Sequence, residues 1–143
     1  MVLEIYGWDI LKKDFPKLSF SKTQISNILM KEFSSFDVDS INIVFTTKQH
    51  IKELNSEFRS KDSPTDVLSF LIEKEPLKGE IYICSEYVDD INEKEVLRLI
   101  IHGFLHIVGY IHEGFFKEGS KNQEDMFVKQ EKILDNIYSS LNN

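Results

Sequence analysis

The stretch "EKEVLRLIIHGFLHIVG", Glu93–Gly109, decides how this chain is read. Its apolar residues recur at helical spacing, and Asn92 precedes it as a capping residue. Glu93 and Glu95 put negative charge into the first turn, which favours a helix N-terminus. Gly109 fits the position just past the last turn, where a left-handed backbone stops a helix. The stretch predicts one helix that carries His102 and His106 and stops at Gly109, with His112 in the glycine-containing loop beyond.

The segments around it alternate between strand and helix patterns. "VLEIY" (Val2–Tyr6) and "SINIVFT" (Ser40–Thr46) have the two-residue alternation of strands. Between them Ile25, Ile28, Leu29 and Phe33 share one helical face behind a Ser21 cap. "TKQHIKELNSEF" reads as a short helix opened by Thr47. Arg59–Asp66 is polar, holds Pro64 and reads as a loop. Val67–Ile72 and Gly79–Cys84 are strand candidates, and the polar "EKEPLK" between them suggests a hairpin. Ser120 with Gln123 resembles a capping box, from which a last helix runs to about Tyr138. The expected fold class is α+β: a small mixed sheet of about four strands packed with helices. No repeat or linker divides the chain, so residues 1–143 are expected to form a single domain.

Composition excludes some classes. Hydrophobic residues make up 41% and charged residues 29%, as in ordinary globular proteins. Apolar runs fall far short of the roughly 20 residues of a membrane span. The N-terminus lacks the pattern of a secretory signal, and Cys84, the single cysteine, has no internal disulfide partner. Both fit a cytoplasmic protein. A net charge of −7 argues mildly against a non-specific nucleic-acid coat and leaves room for a local basic groove. Of the 17 basic residues only Arg59 and Arg98 are arginines. An arginine fork binds carboxylate or phosphate in a way lysine does not.

Three of the four histidines follow His-x3-His-x2-Gly-x2-His at positions 102, 106 and 112. Residues four apart lie one above the other on a helix, so His102 and His106 point the same way. A chain turning back after Gly109 brings His112 towards them. Three imidazoles form one face of a tetrahedron and leave a corner for water, as in a catalytic zinc site. His50 has no such neighbours and reads as a surface residue. Zincin proteases carry a general-base glutamate directly after the first histidine, where this chain has Gly103. That glycine serves either a close approach beside a metal or tight helix–sheet packing.

"HGFLHIVGYIH" resembles the signature of the YbeY family, the bacterial rRNA maturation endoribonucleases. "LNSEFRSKDSPTDVLSF" (Leu54–Phe70), "GEIYIC" and the C-terminal "QEDMFVKQEKIL" are similar to further family segments in the same order. The resemblance implies a metal-dependent, single-strand-specific endoribonuclease acting in 16S rRNA 3′-end maturation and ribosome quality control. It implies zinc, one per chain, held by His102, His106 and His112, with an rRNA precursor and a ribosomal subunit as partners. It carries the family's arginine over to Arg59 and its Thr-Asp pair to Thr65 and Asp66.

Three positions depart from the family pattern. Ile111 stands where the family has Asp, Glu80 where it has Asp after glycine, and Leu71 where it has Pro. The Ile111 exchange removes a side chain able to orient a ligand. Leu71 suggests a change at a strand end. Catalytic candidates are Arg59, for the scissile phosphate, with His102, His106 and His112. Lys61 extends a basic rim, and Arg59 has a rival partner in Asp62. Asp66 either accepts a proton from a ligand histidine or ties down its loop, and Glu80 is a candidate neighbour of the metal. Tyr110, Phe115 and Phe116 serve either the core or base stacking. Two alternatives stand beside the ribonuclease: a metal-dependent hydrolase of another class, peptidase-like, and a ribosome-associated binding protein with a structural metal. Glu113 is the nearest fourth ligand for the latter.

Overall fold

A computed structural model describes residues 1–61, 63, 65–88, 92–109 and 121–141, with the backbone alone for 121–124. Among these residues the order is β1 (Val2–Tyr6), α1 (Trp8–Asp14), α2 (Lys22–Phe33), β2 (Ser40–Phe45), α3 (Lys48–Arg59), β3 (Val67–Lys74), β4 (Leu77–Ile83), α4 (Glu93–Ile107) and α5 (Lys121–Leu141). The strands form one sheet in the order β1-β2-β4-β3. β1, β2 and β4 run parallel, and β3 returns antiparallel on the edge. The expected α+β class with a four-stranded mixed sheet is the class observed.

Alternation along the strands divides the sheet into two faces. Leu3, Ile5, Ile41, Ile43, Phe45, Ile81 and Ile83 are buried in the main core with residues of α1, α2, α4 and α5. On the other face Ile51 of α3 meets Leu68 and Cys84, with Phe70 and Tyr82 beside them. Fully burying each Leu, Ile or Phe of this kind contributes about 1.5–3 kcal/mol. In the main core the rings of Phe33 and Phe104 stack with centroids 3.7 Å apart, joining α2 to α4.

Caps fix where the helices begin. The Ser21 and Gln24 side chains bond each other's backbone N–H in a capping box. The Thr47 hydroxyl accepts from the His50 N–H, and the Asn92 side chain from the Glu95 N–H. Gly109, with φ of +104°, follows α4 as expected. The Ser120–Gln123 capping box lies outside the described residues, and α5 runs on to Leu141 rather than Tyr138.

Two features differ from the sequence reading. Helix α1 was not expected, because it is a short segment of 7 residues whose N-cap, Gly7, offers no side chain. Tertiary contacts hold it: Leu11 is buried, and Trp8 packs on Phe20 and Phe45 at 6.1 Å. The β3–β4 strands also run further than their apolar cores and turn at Glu75 and Pro76. Backbone pairing of Glu73 with Lys78, supported by a 3.9 Å ion pair, extends the ladder where hydrophobic alternation has ended. Leu71 therefore pairs with Gly79 inside the strand and does not end it.

Helix α4 is the element on which the site is built. Nine of its residues, from Val96 to Ile107, are buried. The part-exposed Glu95, Arg98, His102 and His106, three or four residues apart, make one polar stripe on it. Glycines bring this helix close to the sheet. A Cβ on Gly103 would stand 2.7 Å from Ile81 Cγ2, and one on Gly79 2.7 Å from Ile107 Cδ1. Of the two readings of Gly103, helix–sheet packing is thus an observed contact.

A test follows from two opposed magnitudes. Replacing glycine by alanine inside a helix gains about 1 kcal/mol of propensity. Forcing a methyl into a filled core costs about 1–3 kcal/mol. Gly103→Ala is expected to lose stability in urea unfolding. A gain would show that α4 has room to spare at this point.

Candidate functional site

A cleft of about 530 Å³ opens where the C-terminal half of α4 meets β3 and the loop before it. Arg59, Thr65, Asp66, Ser69, His102 and His106 supply its polar lining. The last two turns of α4 aim both imidazoles into it. His106 Nε2 and His102 Nε2 stand 3.0 Å apart, with ring planes tilted by 76°. That separation admits a point about 2.0–2.1 Å from both nitrogens, the usual zinc–imidazole distance. Two imidazoles of a cleft-facing helix are a suitable donor set for a divalent transition metal.

His112, the third expected ligand, lies outside the described residues, as do Tyr110, Ile111, Glu113, Phe115, Phe116 and Asp62. Among the described residues no group of three metal-ligating side chains gathers, and His102 with His106 makes a pair.

Helix α5 holds the first of these rings. His102 Nδ1 lies 2.9 Å from Gln130 Oε1, and Gln130 is buried with 6% of its surface exposed. Gln130 Nε2 donates to Glu131 Oε2 at 3.1 Å. Glu131 is in turn gripped by Arg98, which donates to both carboxylate oxygens at 3.0 and 3.1 Å. Arg98 also donates to Glu95 at 2.6 Å. The hydrogen bond from Arg98 holds the Glu131 carboxyl below its ordinary value of 4.5, against a smaller opposing effect of burial. The second arginine of the sequence is thus absorbed by acids on α4 and α5.

The other wall is set by Asn55. This buried residue of α3 donates through Nδ2 to the Ser63 carbonyl at 2.8 Å. Its own carbonyl accepts from the N–H groups of Ser60 and Lys61. Those bonds fold the chain sharply after α3, where Ser60 takes a left-handed φ of 57°. Arg59 is the last residue of α3 and not part of the loop, and its exposed side chain stands at the cleft. Lys61 is exposed beside it in a smaller adjoining pocket. The Asp66 carbonyl accepts from the Cys84 N–H at 2.9 Å, tying the loop to the end of β4. The Asp66 carboxylate takes a long hydrogen bond of 3.4 Å from the Thr65 hydroxyl.

Glu80 does not face His102 or His106. It lies between Gly79 and Ile81, whose side of β4 faces α4, so its side chain projects from the opposite face of the sheet. There it accepts from the Tyr82 hydroxyl at 2.9 Å and from Asn42 Nδ2 at 3.4 Å. Burial, then the bond to Glu80, pushes the Tyr82 phenol up to about 12, so it remains a donor near neutral pH. His50 is exposed as expected, with Nδ1 2.6 Å from the Thr46 hydroxyl oxygen.

A sequence model of the family described as Endoribonuclease YbeY matches residues 12–138. The chain belongs to the YbeY family. A protein named Endoribonuclease YbeY from Thermotoga petrophila is 39% identical over 82% of this chain and 78% of its own. One of the same name from Persephonella marina is 34% identical over 91% and 92%. A solution structure of a Thermotoga maritima protein superposes with a TM-score of 0.60 at 34% identity, covering 99% of this chain and 92% of its own. The resemblance read from the histidine motif is thereby borne out, and the YbeY family relatives carry the name of a nuclease.

Two lining or supporting residues escaped the sequence reading. Ser69 shares the α4-facing side of β3 with Val67 and lines the cleft. Gln130 falls between Met126 and Leu134 on the buried stripe of α5, and a polar residue in that stripe was the available signal.

The Arg98–Glu131 pair has a defined pH signature. A carboxylate depressed in the folded state contributes fully above its unfolded value and loses its contribution as pH falls through the folded value. Glu131→Gln is expected to be less stable than wild type at neutral pH by about 1–3 kcal/mol. The gap is expected to close as pH falls below 4.5. Urea titrations across that range showing a constant gap would assign the loss to packing.

Proposed function

We propose that this chain is a zinc-dependent, single-strand-specific endoribonuclease acting in 16S rRNA 3′-end maturation and ribosome quality control. The observation that carries the reading is the convergence of His102 and His106 on a cleft shared with Arg59, in a chain of the YbeY family. On this reading His112 supplies the third ligand, one zinc is bound per chain, and the substrate is an rRNA precursor met on a ribosomal subunit. A cytoplasmic setting follows from those partners. Among the described residues no helix is long and apolar enough to cross a membrane.

When bound, zinc supplies Lewis acidity to a phosphate oxygen or to a water molecule. The chain's own residues do the rest. His102 and His106 present Nε2 lone pairs to the cleft, and Gln130 keeps the first ring in place. Arg59 binds two oxygens of the scissile phosphate through its planar fork and offsets the charge that develops there. Thr65 and Ser69 put hydroxyl groups along the same lining, suited to phosphate or ribose oxygens. RNA brings its own 2′-hydroxyl as a nucleophile, so a strong protein base beside the metal is not required. A peptidase of the zincin type would need a glutamate at position 103. A glutamate there would press its Cβ to within 2.7 Å of Ile81 Cγ2 and force the core beneath α4 to shift.

Purified protein is expected to hold about one zinc per chain. His106→Ala is expected to lose both the metal and cleavage of single-stranded RNA. Wild-type cleavage by a metal-free His106→Ala sample would end the zinc reading. Arg59→Ala is expected to keep its zinc while kcat falls by about 10²–10³-fold. Unchanged turnover would remove Arg59 from the phosphate. A labelled duplex is expected to resist cleavage under conditions that cut the single strand.

A further inference from the structure

We propose that Gln130 is a positioning residue that fixes the tautomer of His102, so that its Nε2 faces the cleft as a bare lone pair. An amide can present either its oxygen or its NH₂ group, and Glu131 decides which. Glu131 is a carboxylate gripped by Arg98 through both oxygens, so it only accepts. Gln130 must therefore turn its Nε2 to Glu131, at 3.1 Å, and its Oε1 to His102, at 2.9 Å. Reversing the amide would set oxygen against carboxylate inside a part-buried contact.

The consequence passes to the imidazole. An amide oxygen only accepts, so His102 Nδ1 carries the proton and donates to it. A neutral imidazole has one N–H, so His102 Nε2 is left as the acceptor. His106 Nε2 lies 3.0 Å from that lone pair, at the same cleft. Ring orientation and proton position are both set from α5, by a residue that is itself buried and does not reach the cleft. The line Glu95–Arg98–Glu131–Gln130–His102 is continuous, and each member limits the next to one role. An outer partner that fixes a ligand's tautomer typically contributes about 10–100-fold to metal affinity. That effect on affinity rests on the zinc reading above, while the tautomer itself does not.

Two substitutions separate positioning from packing. Gln130→Met keeps the volume and removes the acceptor, and Gln130→Glu keeps an acceptor and adds charge. If Gln130 merely fills space, methionine is the mild change and the buried carboxylate the severe one. Positioning predicts the reverse order for the metal. Cobalt(II) titration of the full chain should show binding weakened about 10–100-fold in Gln130→Met and within a few-fold of wild type in Gln130→Glu. Nitrogen-15 NMR of the imidazoles reads the tautomer directly. The His102 proton should reside on Nδ1 in wild type and Gln130→Glu, and lose that confinement in Gln130→Met. A wild-type proton on Nε2, or the same tautomer in Gln130→Met as in wild type, overturns the proposal. Wild-type protein that binds no cobalt while showing the Nδ1 proton would sink the zinc reading and sustain the tautomer lock.

Discussion

The close approach of α4 to the sheet is the constraint from which the rest follows. Gly103 rests on Ile81, and Gly79 of β4 lies under Ile107, so helix and sheet touch where a single methyl would hold them apart. With the helix seated there, its remaining circumference is filled by apolar side chains, down to the Phe33–Phe104 stack. Beyond its first turn one polar stripe is left, and it runs from Glu95 through Arg98 and His102 to His106. Burial thus dictates where the chemistry can sit. Histidines at this spacing on an exposed helix would swing freely. Here α5 covers the stripe from one side and the cleft opens on the other.

The stripe is graded along its length. In its N-terminal half Arg98 is held between Glu95 of the same stripe and Glu131 of α5. Its C-terminal half turns imidazole nitrogens outwards, opposite Arg59 at the end of α3. A net charge of −7 would repel RNA if spread evenly, so the guanidinium at the cleft matters more than the sum. The ion pair behind His102 and the arginine in front of it have different tasks. One holds a ring through a chain of hydrogen bonds, and the other, on the proposed function, meets phosphate.

Much of this was legible in the sequence because local signals agreed. The Asn92 cap, the acidic first turn and Gly109 are local signals that bracket α4. The i, i+4 histidines meet as helix geometry requires. What escaped notice depends on contacts far apart in sequence. Helix α1 has no side-chain cap and is held by Trp8 against Phe45. The extra length of β3 and β4 comes from cross-strand pairing beyond the apolar residues. The sequence offers Glu80, at the start of a strand, as a candidate neighbour of the metal but does not place it. The pleat instead turns it to the opposite face, where Tyr82 and Asn42 bond it. Gln130 showed its signal only in part. A buried glutamine on an amphipathic helix asks for a partner, but the partner, 28 residues away, is known only from the packing of α5 on α4.

X-ray absorption at the zinc edge of the loaded, full-length protein tests the proposed centre most directly. The account predicts a shell of nitrogen at about 2.0–2.1 Å with the multiple scattering of imidazole rings. The one cysteine is buried in the cluster beneath α3, and burial pushes its thiol up, away from the thiolate a metal needs. A sulfur shell at about 2.3 Å, or a shell of oxygen without imidazole scattering, would contradict it.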